Sequence, residues 1–117
     1  MARAAAVSEP TVVALAAMPA LGGYSASKAA AWSATQALRA RLGKQGLKVH
    51  AVFPGPVDTD MSKDITLPKT PPADVAKAIL DGVEAGTDDI FPDAMAAQVG
   101  AAFAASPKKV EEMFASM

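Results

Sequence analysis

The sequence contains no cysteine. That excludes a disulfide framework, a thiolate metal site and a thiol nucleophile, and it fits a reducing compartment. There is no excess of either charge, since 11 lysines and arginines stand against 12 aspartates and glutamates. Without a long-range field of one sign, neither nucleic acid nor an anionic membrane surface is indicated as a partner. No apolar run approaches the roughly 18 residues of a membrane span, because Lys28, Arg39, Arg41 and Lys44 punctuate the longest alanine-rich segment. Met1 to Ala6 carries one arginine and no apolar stretch long enough for a signal-peptide core, and Glu9 is unlike an organelle transit peptide. A cytoplasmic location is expected.

What is present suits a globular chain. Of the 117 residues, 51% are apolar and 20% charged, which predicts one compact domain over 1–117 that folds alone or with a partner. Thr11-Val12-Val13-Ala14-Leu15 is a short β-branched run after Pro10 and predicts a buried strand. Tyr24 to Gln45 is rich in helix formers and predicts a helix stopped by Gly46, with Arg41 and Lys44 near its negative end. Alanine, tryptophan and leucine occur around much of its circumference, which predicts a partner helix.

Leu47 to Phe53 predicts a second strand running into Pro54-Gly55-Pro56. Thr70 is placed to cap a helix opened by Pro71 and Pro72 and ending near Gly86. Asp88 to Phe91 predicts a short third strand, Asp93 a helix cap, and Ser106-Pro107 the start of a last helix. Alternation of strand and helix predicts an α/β fold, a partial Rossmann-like doubly wound parallel sheet of about three strands with flanking helices. A sheet that small leaves an edge strand without its usual neighbour.

Tyr24 and Lys28 stand one turn apart on one helix face. An ammonium beside a phenol favours the phenolate, so this pair suits a general acid or base for alcohol–carbonyl interconversion. The run Tyr24-Ser25-Ala26-Ser27-Lys28-Ala29-Ala30 resembles the active-site segment of the short-chain dehydrogenase/reductase family. After a helix and a strand, Pro54-Gly55-Pro56-Val57-Asp58-Thr59-Asp60-Met61 resembles that family's loop following its sixth strand.

The resemblance implies NAD(P)-dependent hydride transfer between an alcohol and a carbonyl of a small-molecule substrate, with NAD or NADP as cofactor. It makes Tyr24 the acid/base and Lys28 its partner and the ligand of the nicotinamide ribose. It sets the backbone of Pro54, Gly55 and Pro56 against the nicotinamide, gives Val57 the carboxamide, and puts Thr59 near the carboxamide or pyrophosphate. Counting back from Tyr24 to the family's serine reaches Thr11, whose hydroxyl offers the same hydrogen bond or is simply that of a strand-edge threonine; Ser8 is a second candidate.

No G-x-G-x-x-G or G-x-x-x-G-x-G turn occurs anywhere, so the family's pyrophosphate-binding turn has no counterpart and the resemblance covers the C-terminal, catalytic half. Impaired or absent turnover by the truncated chain is the corresponding expectation. The alternative is a non-catalytic assembly module, a homo-oligomer or one pairing with another chain, through the sheet edge and the alanine-rich helix. Asp58, Asp60 and Asp64 imitate a calcium loop, but Lys63 stands where the turn glycine is needed, so no metal site is expected. His50 reads as a structural or surface histidine, Trp32 as core or helix packing, and Met95, Met113 and Met117 as packing and tail residues.

Overall fold

The computed structural model describes residues 5–55 and 70–117. Three parallel strands form its sheet in the order β1 (Ala5–Ser8), β2 (Lys48–Val52), β3 (Asp89–Ile90). Helix α1 (Gly22–Gly43) connects β1 to β2, and α2 (Pro72–Ala85) precedes β3. Two further helices, α3 (Ala94–Ala105) and α4 (Pro107–Phe114), follow the last strand. The fold is α/β, a parallel sheet flanked by helices in the Rossmann-like manner.

The first strand is not where sequence periodicity puts it. Val12–Ala14 is a 3₁₀ turn, and the strand is the preceding Ala5–Ser8. Pro10 brings no backbone N–H, and Thr11 turns the chain through φ 68°, so the β-branched run cannot continue a ladder. Val12 and Val13 instead drop into the core as a plug against α1 and α3. Burial, rather than pairing, accounts for that apolar run.

β2 is the central strand, and its residues from Val49 onward are all buried. A strand covered on both faces and paired on both edges has no polar side, which is why Val49, Ala51 and Val52 are continuous with Phe53 in the core. Even His50 is buried, its Nδ1 2.6 Å from the Thr87 carbonyl oxygen, which makes it structural. Phe53 is held edge-to-face by Trp32 at 4.8 Å and stacked on Phe91 at 5.1 Å. The core continues through Ala96, Val99, Val110 and Phe114. Burying each such phenylalanine contributes about 1.5–3 kcal/mol.

Helix α1 starts two residues earlier than expected and ends at Gly43. Gly46, at φ 80°, then closes it: its N–H donates to Gly43 O and the Leu47 N–H to Leu42 O. That pair of hydrogen bonds around a left-handed glycine satisfies two of the last carbonyls of the helix. The expected burial on several sides is not found. Only Ser25 and Thr35 of α1 are fully buried, and Leu38 is half exposed. Among the described residues no partner helix covers the alanine-rich face.

Thr70 does not cap α2. Pro71 is the capping residue, accepting the Asp74 and Val75 N–H groups through its carbonyl, because a residue before proline is driven into extended geometry. Asp93 and Ser106 do cap, accepting from the Ala96 and Lys109 amides respectively. No helix among the described residues is long and apolar enough to cross a membrane.

Candidate active site

The carboxyl ends of the three strands open on one edge of the sheet, the edge at which parallel α/β sheets bind ligands. Glu9 and Thr11 follow β1, Pro54 and Gly55 follow β2, and Asp93 follows β3. The first two turns of α1 carry Tyr24 and Lys28, and Lys28 reaches the segment after β1.

The start of α1 is fastened by its small residues. The Ser25 hydroxyl, fully buried, accepts from the Met18 N–H at 3.2 Å and fixes how the chain enters the helix. Ser27 donates to the Tyr24 carbonyl at 2.7 Å. With both serines committed to the backbone, Tyr24 is held at the helix start with 46% of its surface exposed, open to a substrate. The Lys28 ammonium lies 5.5 Å from the Tyr24 ring centroid and donates to the Glu9 carbonyl at 3.2 Å. One of its three N–H groups is thereby used, leaving two for a ligand.

Thr11 is the other unusual residue. It is the one non-glycine residue with positive φ among the described residues, and its buried Oγ1 has no hydrogen-bond partner among them. A β-branched residue in that conformation is strained, and a buried unpaired hydroxyl adds a desolvation cost. Its backbone is held by Thr11 N to Val52 O at 3.3 Å and Val12 N to Pro54 O at 3.2 Å. Ser8 is placed differently. Its hydroxyl shares a 2.8 Å hydrogen bond with Thr35 Oγ1, three turns along α1 from Tyr24.

Pro54 and Gly55 come next to this segment, but two of their backbone groups already have partners. Pro54 O accepts from Val12 N, and Gly55 N donates to Asp93 Oδ2 at 2.7 Å. Pro56, Val57 and Thr59 lie outside the described residues, as do Asp58, Asp60 and Asp64. The arrangement combines an accessible phenol, an adjacent ammonium with spare donors, and an orphaned buried hydroxyl. These groups fit the ribose and nicotinamide end of a dinucleotide and a carbonyl oxygen beside it.

Residues 7–70 match the short chain dehydrogenase family. The chain belongs to that family. An uncharacterized oxidoreductase of Staphylococcus saprophyticus is 45% identical over 60 residues, a match that covers 49% of this chain and 26% of that protein. Relatives of the same description in Staphylococcus aureus are 42% identical over the same length. A short chain dehydrogenase from Burkholderia cenocepacia, solved in complex with NADP, superposes with a TM-score of 0.87 at 32% identity, over 96% of this chain and 47% of its own. A bulky-bulky ketone specific alcohol dehydrogenase from Comamonas testosteroni does so with a TM-score of 0.66 at 26% identity, over 94% of this chain and 43% of its own. This member of the short chain dehydrogenase family thus spans less than half the length of these solved relatives.

Three contacts of the candidate site were not legible in the sequence: the Glu9 carbonyl on Lys28, the Ser25 anchor and the Asp93 carboxylate on Gly55. Each is a bond across turns or across elements, and only the capping role of Asp93 left a local signal.

Proposed function

We propose that this chain carries the proton-transfer part of an NAD(P)-dependent oxidoreductase interconverting a small-molecule alcohol and carbonyl. The observation that carries the reading is Tyr24, exposed on the first turn of α1, with the Lys28 ammonium against its ring. Tyr24 Oη gives its proton to the carbonyl oxygen in reduction and takes it back in oxidation. Lys28 sets a positive charge beside the Tyr24 ring and directs its spare N–H groups to the ribose. Thr11 Oγ1 donates to the substrate oxygen, the partner it lacks within the described protein. When bound, the nicotinamide supplies or accepts the hydride. Pro54, Gly55, Pro56, Val57 and Thr59 form the segment that meets it. The absence of any glycine-rich pyrophosphate turn from the sequence makes dinucleotide binding by this chain weak and its turnover slow. The cysteine-free composition fits action in the cytoplasm.

The test is NADPH-dependent carbonyl reduction by the purified chain at high concentration, compared with Tyr24→Phe. Slow turnover that disappears in the variant is expected. Equal rates would overturn the assignment, and saturable micromolar NADPH binding would overturn the claim of weak affinity.

A second reading is an assembly role. It is favoured by β1, which is paired on one side only among the described residues, with Val7 half exposed, and by the open alanine-rich face of α1. Sedimentation of the chain as a concentration-independent monomer would rule it out.

A further inference from the structure

Asp93 is only 8% exposed, yet it carries a carboxylate. Each oxygen accepts a backbone N–H from a different element: Oδ1 from Ala96 in α3 at 2.9 Å, and Oδ2 from Gly55 after β2 at 2.7 Å. The first bond is an ordinary helix cap that serine, threonine or asparagine could make equally well. The second demands two acceptor oxygens on one short side chain, which only a carboxylate at this position provides. Asp93 is therefore more than a cap.

Gly55 is the complementary half. Its φ is not in the left-handed region, which among the described glycines is occupied by Gly46 and Gly86. Conformational freedom is not what requires glycine there. A Cβ at Gly55 would instead stand 2.8 Å from Asp93 Oδ1 and 3.5 Å from the Met95 side chain. The glycine and the carboxylate fit each other by close approach.

Upstream, Phe53 is fixed by Trp32, by Phe91 and by its N–H bond to Ile90 O. Past Phe53, Val12 N to Pro54 O and Gly55 N to Asp93 Oδ2 are the bonds that hold the turn among the described residues. We propose that Asp93 is a positioning residue for the Pro54-Gly55 turn. It locks the direction in which the chain leaves β2 to the start of α3. Its consequence for nicotinamide approach rests on the oxidoreductase reading; the link between turn and helix does not.

The experiment uses the whole 117-residue chain, labelled with nitrogen-15, and follows amide hydrogen exchange at Gly55 and Ala96. Asp93→Ser keeps a capping hydroxyl but is too short to serve both amides. Expected is Gly55 exchange at least about tenfold faster than in the unsubstituted chain, with Ala96 within about threefold. Unchanged Gly55 exchange overturns the proposal. Should the serine variant not fold, Asp93→Asn, isosteric but with one acceptor oxygen, is read the same way, and unchanged exchange at both amides overturns it.

A second measurement separates positioning from simple stability. Nicotinamide mononucleotide in excess is expected to shift the Gly55 and Tyr24 amide resonances of the unsubstituted chain. In Asp93→Ser the Gly55 shift falls to less than about half while that of Tyr24 is kept. A Gly55 shift of undiminished size overturns the positioning role. No shift at either residue in the unsubstituted chain removes the oxidoreductase reading, and exchange at Gly55 then decides the link by itself.

Discussion

The Lys28 ammonium lies 5.5 Å from the centre of the Tyr24 ring while donating to the Glu9 carbonyl 3.2 Å away. One cation joins the first turn of α1 to the segment leaving β1. Lys28→Met keeps the aliphatic stem and loses that bond, so thermal unfolding is expected to show a loss at the low end of about 0.5–1.5 kcal/mol. Tyr24→Phe, at a half-exposed side chain, is expected to leave stability within about 0.5 kcal/mol while lowering carbonyl reduction by about 10²–10⁴-fold. A large stability loss in Tyr24→Phe would show that the phenol is structural.

Thr11 combines a left-handed backbone with a buried hydroxyl that has no partner among the described residues. Thr11→Val keeps the shape and removes the orphaned oxygen, and is expected to raise stability by about 1 kcal/mol, or about 4–8 °C in Tm. Carbonyl reduction should fall in the same variant. Calorimetry with a parallel activity assay separates the outcomes; a stability loss would mean that the hydroxyl has a native partner.

Arg39 stitches α1 to the other two strands. It donates to Val49 O, to Asp88 O and to the Asp89 carboxylate, and lies over the Trp32 ring at 5.6 Å. Arg39→Met is expected to cost about 1–3 kcal/mol in urea unfolding, chiefly through the two carbonyls left behind. Arg39→Lys should restore less than half, since an ammonium cannot reproduce the planar fork. High salt should change little, because the Asp89 partner is 41% exposed and contributes little to begin with.

The Asp88 carboxyl is held below its usual range chiefly by hydrogen bonding to Lys48, which outweighs the opposing desolvation and is helped by the nearby positive charges of Lys48 and Arg39. A carboxylate depressed in the folded state stabilises it above the unfolded-state value of about 4 and ceases to do so as pH falls through the folded-state value. Stability should therefore decline as pH is lowered below about 4. The side chain is 53% exposed, so screening keeps this below about 1 kcal/mol. In Asp88→Asn, denaturant midpoints between neutral and acid pH should differ less than in the unsubstituted chain; an identical slope would remove Asp88 from the acid response.

Much of this was legible in the sequence because the signals are local. Gly46 and Gly86 mark helix ends, Asp93 and Ser106 mark helix starts, and the Tyr24-Lys28 spacing fixes one face of α1. Thr11 to Leu15 misled because a β-branched apolar run satisfies the periodicity of a strand and the needs of a core plug equally. Only the tertiary setting, with Pro10 before it and φ 68° at Thr11, decides between them. The alanine-rich face of α1 misled in the opposite sense, since composition records what a helix is able to bury but not whether anything covers it. Contacts such as Asp93 to Gly55 leave no local trace at all.

The parallel register Ala5 to Lys48 and Ala51 to Asp89 has a kinetic corollary. Each strand meets its neighbour only after the intervening chain has been laid down, so no hairpin exists to seed the sheet. During synthesis β1 precedes β2, so the pairing of Ala5–Ser8 with its neighbour waits until Lys48–Val52 has been made. Docking of β3 beside β2 is what lets Asp93 reach back to Gly55, so the strand-end edge is complete only once the chain through Asp93 has folded.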